Sequence, residues 1–500
     1  MSSPLATSSN QQGFSPGLPG LRARFRKLFE STVTPADRVP FWQKVAYGLG
    51  GPVEGAAVWI PQTNLMPVFN VGLGISPAAL GAVVMLWRAW DACADLVTGN
   101  LSDNARTRWG RRRPFIVLGA LLTGLTMPLI WWAPQGMGEL AACAWILISG
   151  MIFYACFSLW AMPYYSLQLE MTPDYNERTN VTAYRAFAQQ IMNLLAGWVL
   201  ALAACPLLSR HADHSPDLVN GMRYISIALG LLTIALGVLP GLFVPERYYR
   251  KDASKQSAEN IWTGLKQTFS RKPFLWILAI VFSKTFGFGI VNALTFYLNA
   301  FYVCRGDIKL ATAIAGVSST LLFAPNLFAI PLCTWIASRM GKHILLYVTV
   351  AFGILGSLSV YPCVTPAHPW LQVIPSLLIG PIGIGLWLVI PSMQADVADY
   401  DELITCQRRE GSFSAIFSWC LKASNALTSG FGGIVLVLMG FKIANGANQS
   451  PRVLENLKLL YIWAPVLFLS FCLFAISRYD LTRERMREIR NELEARRGAI

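Results

Sequence analysis

About twelve stretches of this chain are apolar over a length that can cross a bilayer, on the order of 20 residues each. Nothing else in the sequence constrains the fold as strongly. A backbone passing through hydrocarbon must pair every N–H and C=O, and a helix does so within the segment. The expectation is an all-α membrane protein. The composition agrees: 54% of the residues are hydrophobic and 14% charged, with a mean hydropathy of +0.45. A formal charge of +14 would otherwise raise nucleic acid as a partner. Here the basic residues are confined to loops and tails, as on the cytoplasmic side of a membrane protein. The expected partner is the lipid bilayer, with no nucleic acid.

The basic clusters divide the chain. Residues 1–42 read as a cytoplasmic N-terminal arm. Its first part is rich in Ser, Gly and Pro and has no apolar run, so no cleavable signal peptide is expected. Arg22, Arg24, Arg26 and Lys27 follow, suited to the inner membrane surface. Six spans fall in 43–244, a charged cytoplasmic linker in 245–272, and six more spans in 273–478. The cytoplasmic tail, 479–500, mixes Arg and Glu at helical spacing and reads as a solvated helix. The turn from Arg106 to Pro114, between spans 2 and 3, has a weak echo at Ser338–His343 between spans 8 and 9. Matching basic turns imply two duplicated halves related by an axis along the membrane normal. Both termini are expected in the cytoplasm, with the protein in the plasma (inner) membrane.

Charge inside a span is costly, so the spans that carry it are the informative ones. Span 2, about 76–102, holds Asp91 and Asp95. Four residues apart, they share one helical face. At helical rise Asp91 lies roughly 18 Å from the following loop. An early helix end would leave both carboxylates among headgroups, but Leu96 and Val97 continue the apolar pattern. Inside the bilayer an ionised Asp needs a wet cavity and a counter-charge, and Arg88 is one turn away. Such a pair binds a cation or shares a proton. Span 1, about 43–70, carries Glu54, Gln62 and Asn64 among Gly48, Gly50, Gly51, Pro52 and Gly55, which permit a kink or close packing. Span 4 ends in an aromatic run through Trp160, Tyr164 and Tyr165; an interfacial belt is its plainer reading, a stacking platform the functional one. Arg185 heads span 5. Lys422 is too deep in span 11 to snorkel well, so it is expected to face the bundle interior near Ser418, Ser424 and Asn425.

Other chemistries find little support. His211 and His214 sit in an outer loop without an apolar frame or further ligands. The cysteines show no metal spacing. No phosphate-binding loop and no Ser/His/Asp constellation can be assembled, so an ATP-driven pump or an enzyme is not expected. A channel is a further alternative, but it needs a repeated selectivity element, and none is visible.

The sequence Trp90-Asp91-Ala92-Cys93-Ala94-Asp95, with Gly99 and the basic turn Arg106–Pro114, resembles the glycoside–pentoside–hexuronide:cation symporter family of the major facilitator superfamily. Ala395-Asp396-Val397-Ala398-Asp399-Tyr400-Asp401-Glu402, with Arg409-Glu410-Gly411, resembles that family's second signature. The likeness covers about 43–440 and includes Lys44–Gly50 at the start of span 1. It implies a major facilitator fold of twelve transmembrane helices in two six-helix halves. It also implies cation-coupled symport of a sugar or sugar derivative by alternating access.

Carried over by position, Asp91, Asp95 and Ser158 become the cation site and Lys422 the link between cation and sugar. Arg185, Tyr165 and Trp387 become substrate contacts, and Ser418 and Glu54 are further candidates placed beside them. Two acids that grip sugar hydroxyls in melibiose permease-like members are replaced here by Gly55 and Ala161. Glu54 is adjacent but about 100° around a regular helix. The resulting cavity is expected to be more positive and to suit an acidic sugar. Ala94 stands where an asparagine ligand would, which removes a neutral oxygen and favours a proton over sodium as the coupling ion. No cofactor is expected, and a monomer is. A lysolipid-like substrate is the alternative within the same resemblance.

Overall fold

In a computed structural model of the protein, the described residues are 38–134, 136–172, 175–208, 217–246, 269–405, 410–442, 445 and 448–497. The basic arm residues Arg22 to Lys27, the His211–His214 loop, Arg409 and nearly all of the linker lie outside them. Helix makes up 85% of the structure, and no strand occurs among the described residues. The first predicted span is broken into α1 (Phe41–Gly48), α2 (Gly51–Glu54) and α3 (Ile60–Met66), with π turns at Gly55–Trp59 and Pro67–Val71. Then come α4 (Pro77–Asn104), α5 (Arg113–Trp131), α6 (Glu139–Met171), α7 (Tyr175–Ala196), the short α8 (Val199–Ala203) and α9 (Leu218–Phe243). The second set is α10 (Lys272–Tyr297), α11 (Ile308–Arg339), α12 (Lys342–Cys363), α13 (Ile374–Thr405), α14 (Glu410–Leu438) and α15 (Pro451–Ser477), followed by the tail helix α16 (Arg483–Arg497).

Among the described residues, nine helices are long and apolar enough to cross a membrane. The three predicted spans outside that group are helical as well, and each has a physical reason for reading as less apolar. Span 1 carries Glu54, Gln62, Asn64 and Asn70, α4 carries Arg88, Asp91 and Asp95, and α7 carries Arg185 with Gln189, Gln190 and Asn193. Four of the charged candidates, Glu54, Asp91, Asp95 and Arg185, thus lie on these three less apolar spans, while Lys422 lies on the apolar α14.

The packing repeats. In the first set α5 lies on α6 and α9, α4 on α6, and α1 and α2 on α7 and α9. In the second set α12 lies on α13 and α15, α11 on α13, and α10 on α14 and α15. The sets meet through α4 against α14 and α7 against α11. Each of these pairings maps onto its counterpart when the first helix set is laid on the second.

Helix ends near the chain termini are tied by charge. Gly110 has φ +108°, and a Cβ there would stand 2.6 Å from a Glu246 oxygen, so glycine is required on both counts. Glu246 accepts from the N–H groups of Arg111, Arg112 and Arg113 at 2.9, 2.7 and 3.1 Å, capping α5 with a carboxylate where the helix presents its positive end. Arg111 and Arg112 reach Glu170 at 2.7 and 3.2 Å, and Lys44 reaches Glu177 at 2.7 Å. In the second set Lys342 pairs with Asp396, and Arg271 holds Asp401 at 2.7 Å.

The segment Ala395–Glu402 is helical, because α13 continues to Thr405. Its acids Asp396 and Asp401 are buried against basic helix starts. One expectation is corrected here. The tail helix is only half solvated. Met486, Ile489 and Leu493, at helical spacing, are buried in the core that includes Val397 and Ala398 of α13. Its Arg485–Glu488 pair remains in solvent.

Candidate functional site

Two tryptophans set the register of α4 on α6. The indole N–H of Trp87 donates to the Leu147 carbonyl at 3.1 Å, and that of Trp90 to Met151 at 2.8 Å. Gly150 makes room for the Trp87 ring. This register places Asp91 beside Ser158, whose hydroxyl donates to it at 3.4 Å. From the other helix set, Lys422 on α14 hydrogen-bonds Asp95 and stands 3.6 Å from Asp91. Arg88 lies 4.0 Å from Asp91. Its second guanidinium nitrogen donates to Gln62 at 2.9 Å and to the carbonyl of Val58, in the first π turn, at 3.3 Å. Its plane sits over the Tyr154 ring at 5.2 Å. Two acids thus meet two bases inside the helix bundle, and the cluster is balanced in charge. Ala94 contributes no side-chain oxygen to it.

A second cluster lies within the first helix set. Glu54 and Arg185 form an ion pair at 2.8 Å. A Cβ on Gly51 would come within 2.5 Å of the Arg185 carbonyl, so the absence of a side chain there is what lets span 1 approach α7 closely enough. Arg185 sits 4.8 Å from the Tyr165 ring and 5.9 Å from that of Tyr164. Tyr164 is sandwiched between Tyr47 at 4.6 Å and Trp160 at 4.5 Å, all three fully buried. Much of the aromatic run is therefore packed core, neither interfacial belt nor open platform; Tyr165 is the member beside the charged pair.

The geometry corrects the expected positive cavity. Arg185 is matched by Glu54, and Lys422 by the two aspartates. It also alters the argument against Glu54. The π turn begins at the next residue and accommodates an extra residue, so a register counted on a regular helix does not carry across it. Sequence reasoning had named the glycines and Pro52 as a kink but had no means of locating π turns. Trp387 and Ser418 are both exposed, and among the described residues neither hydrogen-bonds to either cluster. The roles of Gln62 and Tyr154 were missed, since neither residue type signals a partner 26 or 66 positions away.

Residues 46–483 match the family described as MFS/sugar transport protein. The chain belongs to this family. It is a multi-pass membrane transporter of the major facilitator class, not an enzyme. The transporter is similar to the glucuronide carrier protein homolog of Escherichia coli (strain K12), 24% identical over 461 residues that cover 91% of this chain and 95% of the relative. It is also similar to the sodium-dependent lysophosphatidylcholine symporter 1-B of Danio rerio, 24% identical over 504 residues, 92% of this chain and 91% of the relative. Among solved structures a D-xylose–proton symporter shares the fold, with a TM-score of 0.60 at 16% identity over 86% of this chain and 97% of that one.

Proposed function

We propose that the transporter carries a sugar or sugar derivative together with a cation, by alternating access, with Asp91, Asp95 and Ser158 as the cation site. The observation that supports this most is Lys422. It reaches from α14 across the boundary between the helix sets to both carboxylates of α4. A cation arriving at Asp91 and Asp95 competes directly with that lysine, so loading the site changes the force holding the two helix sets together. The proton is the favoured ion. Two neighbouring carboxylates share a proton readily once the lysine is displaced, because like charges repel, whereas sodium needs several oxygens and Ala94 supplies none.

Glu54, Arg185 and Tyr165 form the proposed substrate contact, with Trp387 and Ser418 as outlying candidates. Because the Glu54–Arg185 pair is balanced, it suits sugar hydroxyls, which donate to the carboxylate and accept from the guanidinium. An acidic sugar fits if it displaces Glu54 from Arg185. The protein is read as a monomer in the plasma membrane, both termini cytoplasmic, with the halves divided at 245–272.

The test is uptake into proteoliposomes of neutral xylosides, glucuronides and lysophosphatidylcholine, under a proton gradient without sodium and then a sodium gradient at symmetric pH. Glycoside accumulation driven by protons is expected. Accumulation driven only by sodium overturns the ion assignment, and transport confined to lysophosphatidylcholine overturns the substrate class. Strict dependence on ATP rejects symport altogether.

A further inference from the structure

Between α3, α4, α10 and α14, displaced from Arg88 toward the end of the bundle away from the chain termini, lies a small cavity that neither cluster uses. Gln62 and Thr63 line it from α3, Asn292 from α10, and Thr428 and Ser429 from α14. It has room for about three water molecules, too little for a pyranose ring. We infer that this cavity is the hydrated passage through which a small monovalent cation, hydronium or partly dehydrated sodium, reaches Asp91 and Asp95. The inference rests on the cation-coupled reading above.

Three observations carry it. The first is continuity. Gln62 in the cavity wall accepts from Arg88, and Arg88 stands 4.0 Å from Asp91. One side chain therefore separates the cavity from the cation site. The second is the lining. The hydroxyl protons of Thr63, Thr428 and Ser429 are spent on carbonyls of their own helices, Trp59, Ser424 and Asn425, at 2.7, 2.7 and 2.9 Å. Their lone pairs are left to accept, and Asn292 adds an exposed amide. Neutral oxygens solvate a cation without trapping it, as a conducting passage needs, whereas a carboxylate there would hold it. An apolar cavity of this size would stay dry. The third is the contact beyond it. Toward the same end of the bundle the hydroxyl of Tyr297 donates to Asn70 at 2.9 Å, both side chains being fully buried, so the two helix sets meet beyond the cavity on that side.

The test uses the full chain in liposomes, with Asn292→Leu to fill the cavity and Thr428→Val to remove one oxygen at constant volume. Radiolytic hydroxyl labelling reads the water directly. Met66, in the cavity wall, is expected to be oxidised in the wild type and several-fold less in Asn292→Leu, while Met127 in the core stays unlabelled. An unlabelled Met66 in the wild type overturns the inference. Transport is read with p-nitrophenyl β-D-glucuronide and methyl β-D-xyloside, each under a proton and a sodium gradient. Gradient-driven net uptake should fall about tenfold in the variants, with equilibrium exchange within about twofold, because exchange needs no passage of the ion. The gradient that loses its drive identifies the ion. Exchange falling in step with net uptake assigns the cavity a structural role and overturns the passage, as do two unchanged rates. If the wild type shows no gradient-driven uptake of either glycoside, the symport reading fails and the passage with it.

Discussion

Asp95 and Lys422 touch, and both are half-buried. Removing one partner leaves the other charge partly desolvated, at a cost below the about 3–5 kcal/mol of a fully buried pair. Asp95→Asn is therefore expected to lower thermal stability as well as abolish uphill accumulation, and Asp95→Asn with Lys422→Gln should recover much of the stability but none of the coupling. Melting of purified protein alongside uphill uptake separates these effects; full accumulation in either variant rules the pair out as the coupling site. At the second cluster, Glu54→Gln leaves Arg185 without its acid. Glucuronide uptake is then expected to rise relative to xyloside uptake, and Arg185→Lys to reverse that bias, because an ammonium cannot reproduce the two-pronged grip of a guanidinium on a carboxylate. Competition between the two sugars measures the ratio, and an unchanged ratio in both variants removes the pair from the substrate contacts.

At the scale of the element, the basic turn before α5 is a built joint. Glu246 satisfies three N–H groups of a helix start that would otherwise be orphaned, and Gly110 supplies a backbone conformation that L-residues avoid. Gly110→Ala adds backbone strain of about 1–3 kcal/mol and a clash with the capping carboxylate. A clear fall in the unfolding midpoint is expected in detergent. Glu246→Gln should cost less, because an amide oxygen can still accept but loses the attraction of the helix end. Equal melting of Gly110→Ala and wild type would show that the turn relaxes freely.

At the scale of the whole molecule, the helix sets are held by Lys422 near the middle and by Tyr297 with Asn70 at the end away from the termini. Tyr297→Phe removes one buried hydrogen bond and strands an acceptor, worth about 1–3 kcal/mol. The population open at that end is expected to rise roughly tenfold for each 1.4 kcal/mol removed. Distances between spin labels placed across that end report the shift, and an unchanged distance distribution would deny the bond a role in closure.

The sequence by itself determined the class of the protein. Runs of apolar residues have no stable alternative to membrane helices, and charges placed within such runs are too costly to be incidental, so Asp91, Asp95 and Lys422 stood out one by one. The repeat of basic turns was legible as well, because the positive-inside rule acts on local sequence. Only the tertiary structure decided which charge answers which. Lys422 lies 327 residues from Asp95, and Arg185 lies 131 from Glu54. Opposite charges attract wherever packing brings them together, so the pairing belongs to the packing and not to any spacing along the chain. The expected positive cavity failed for that reason: the charges were counted correctly, but their partners lay on other helices.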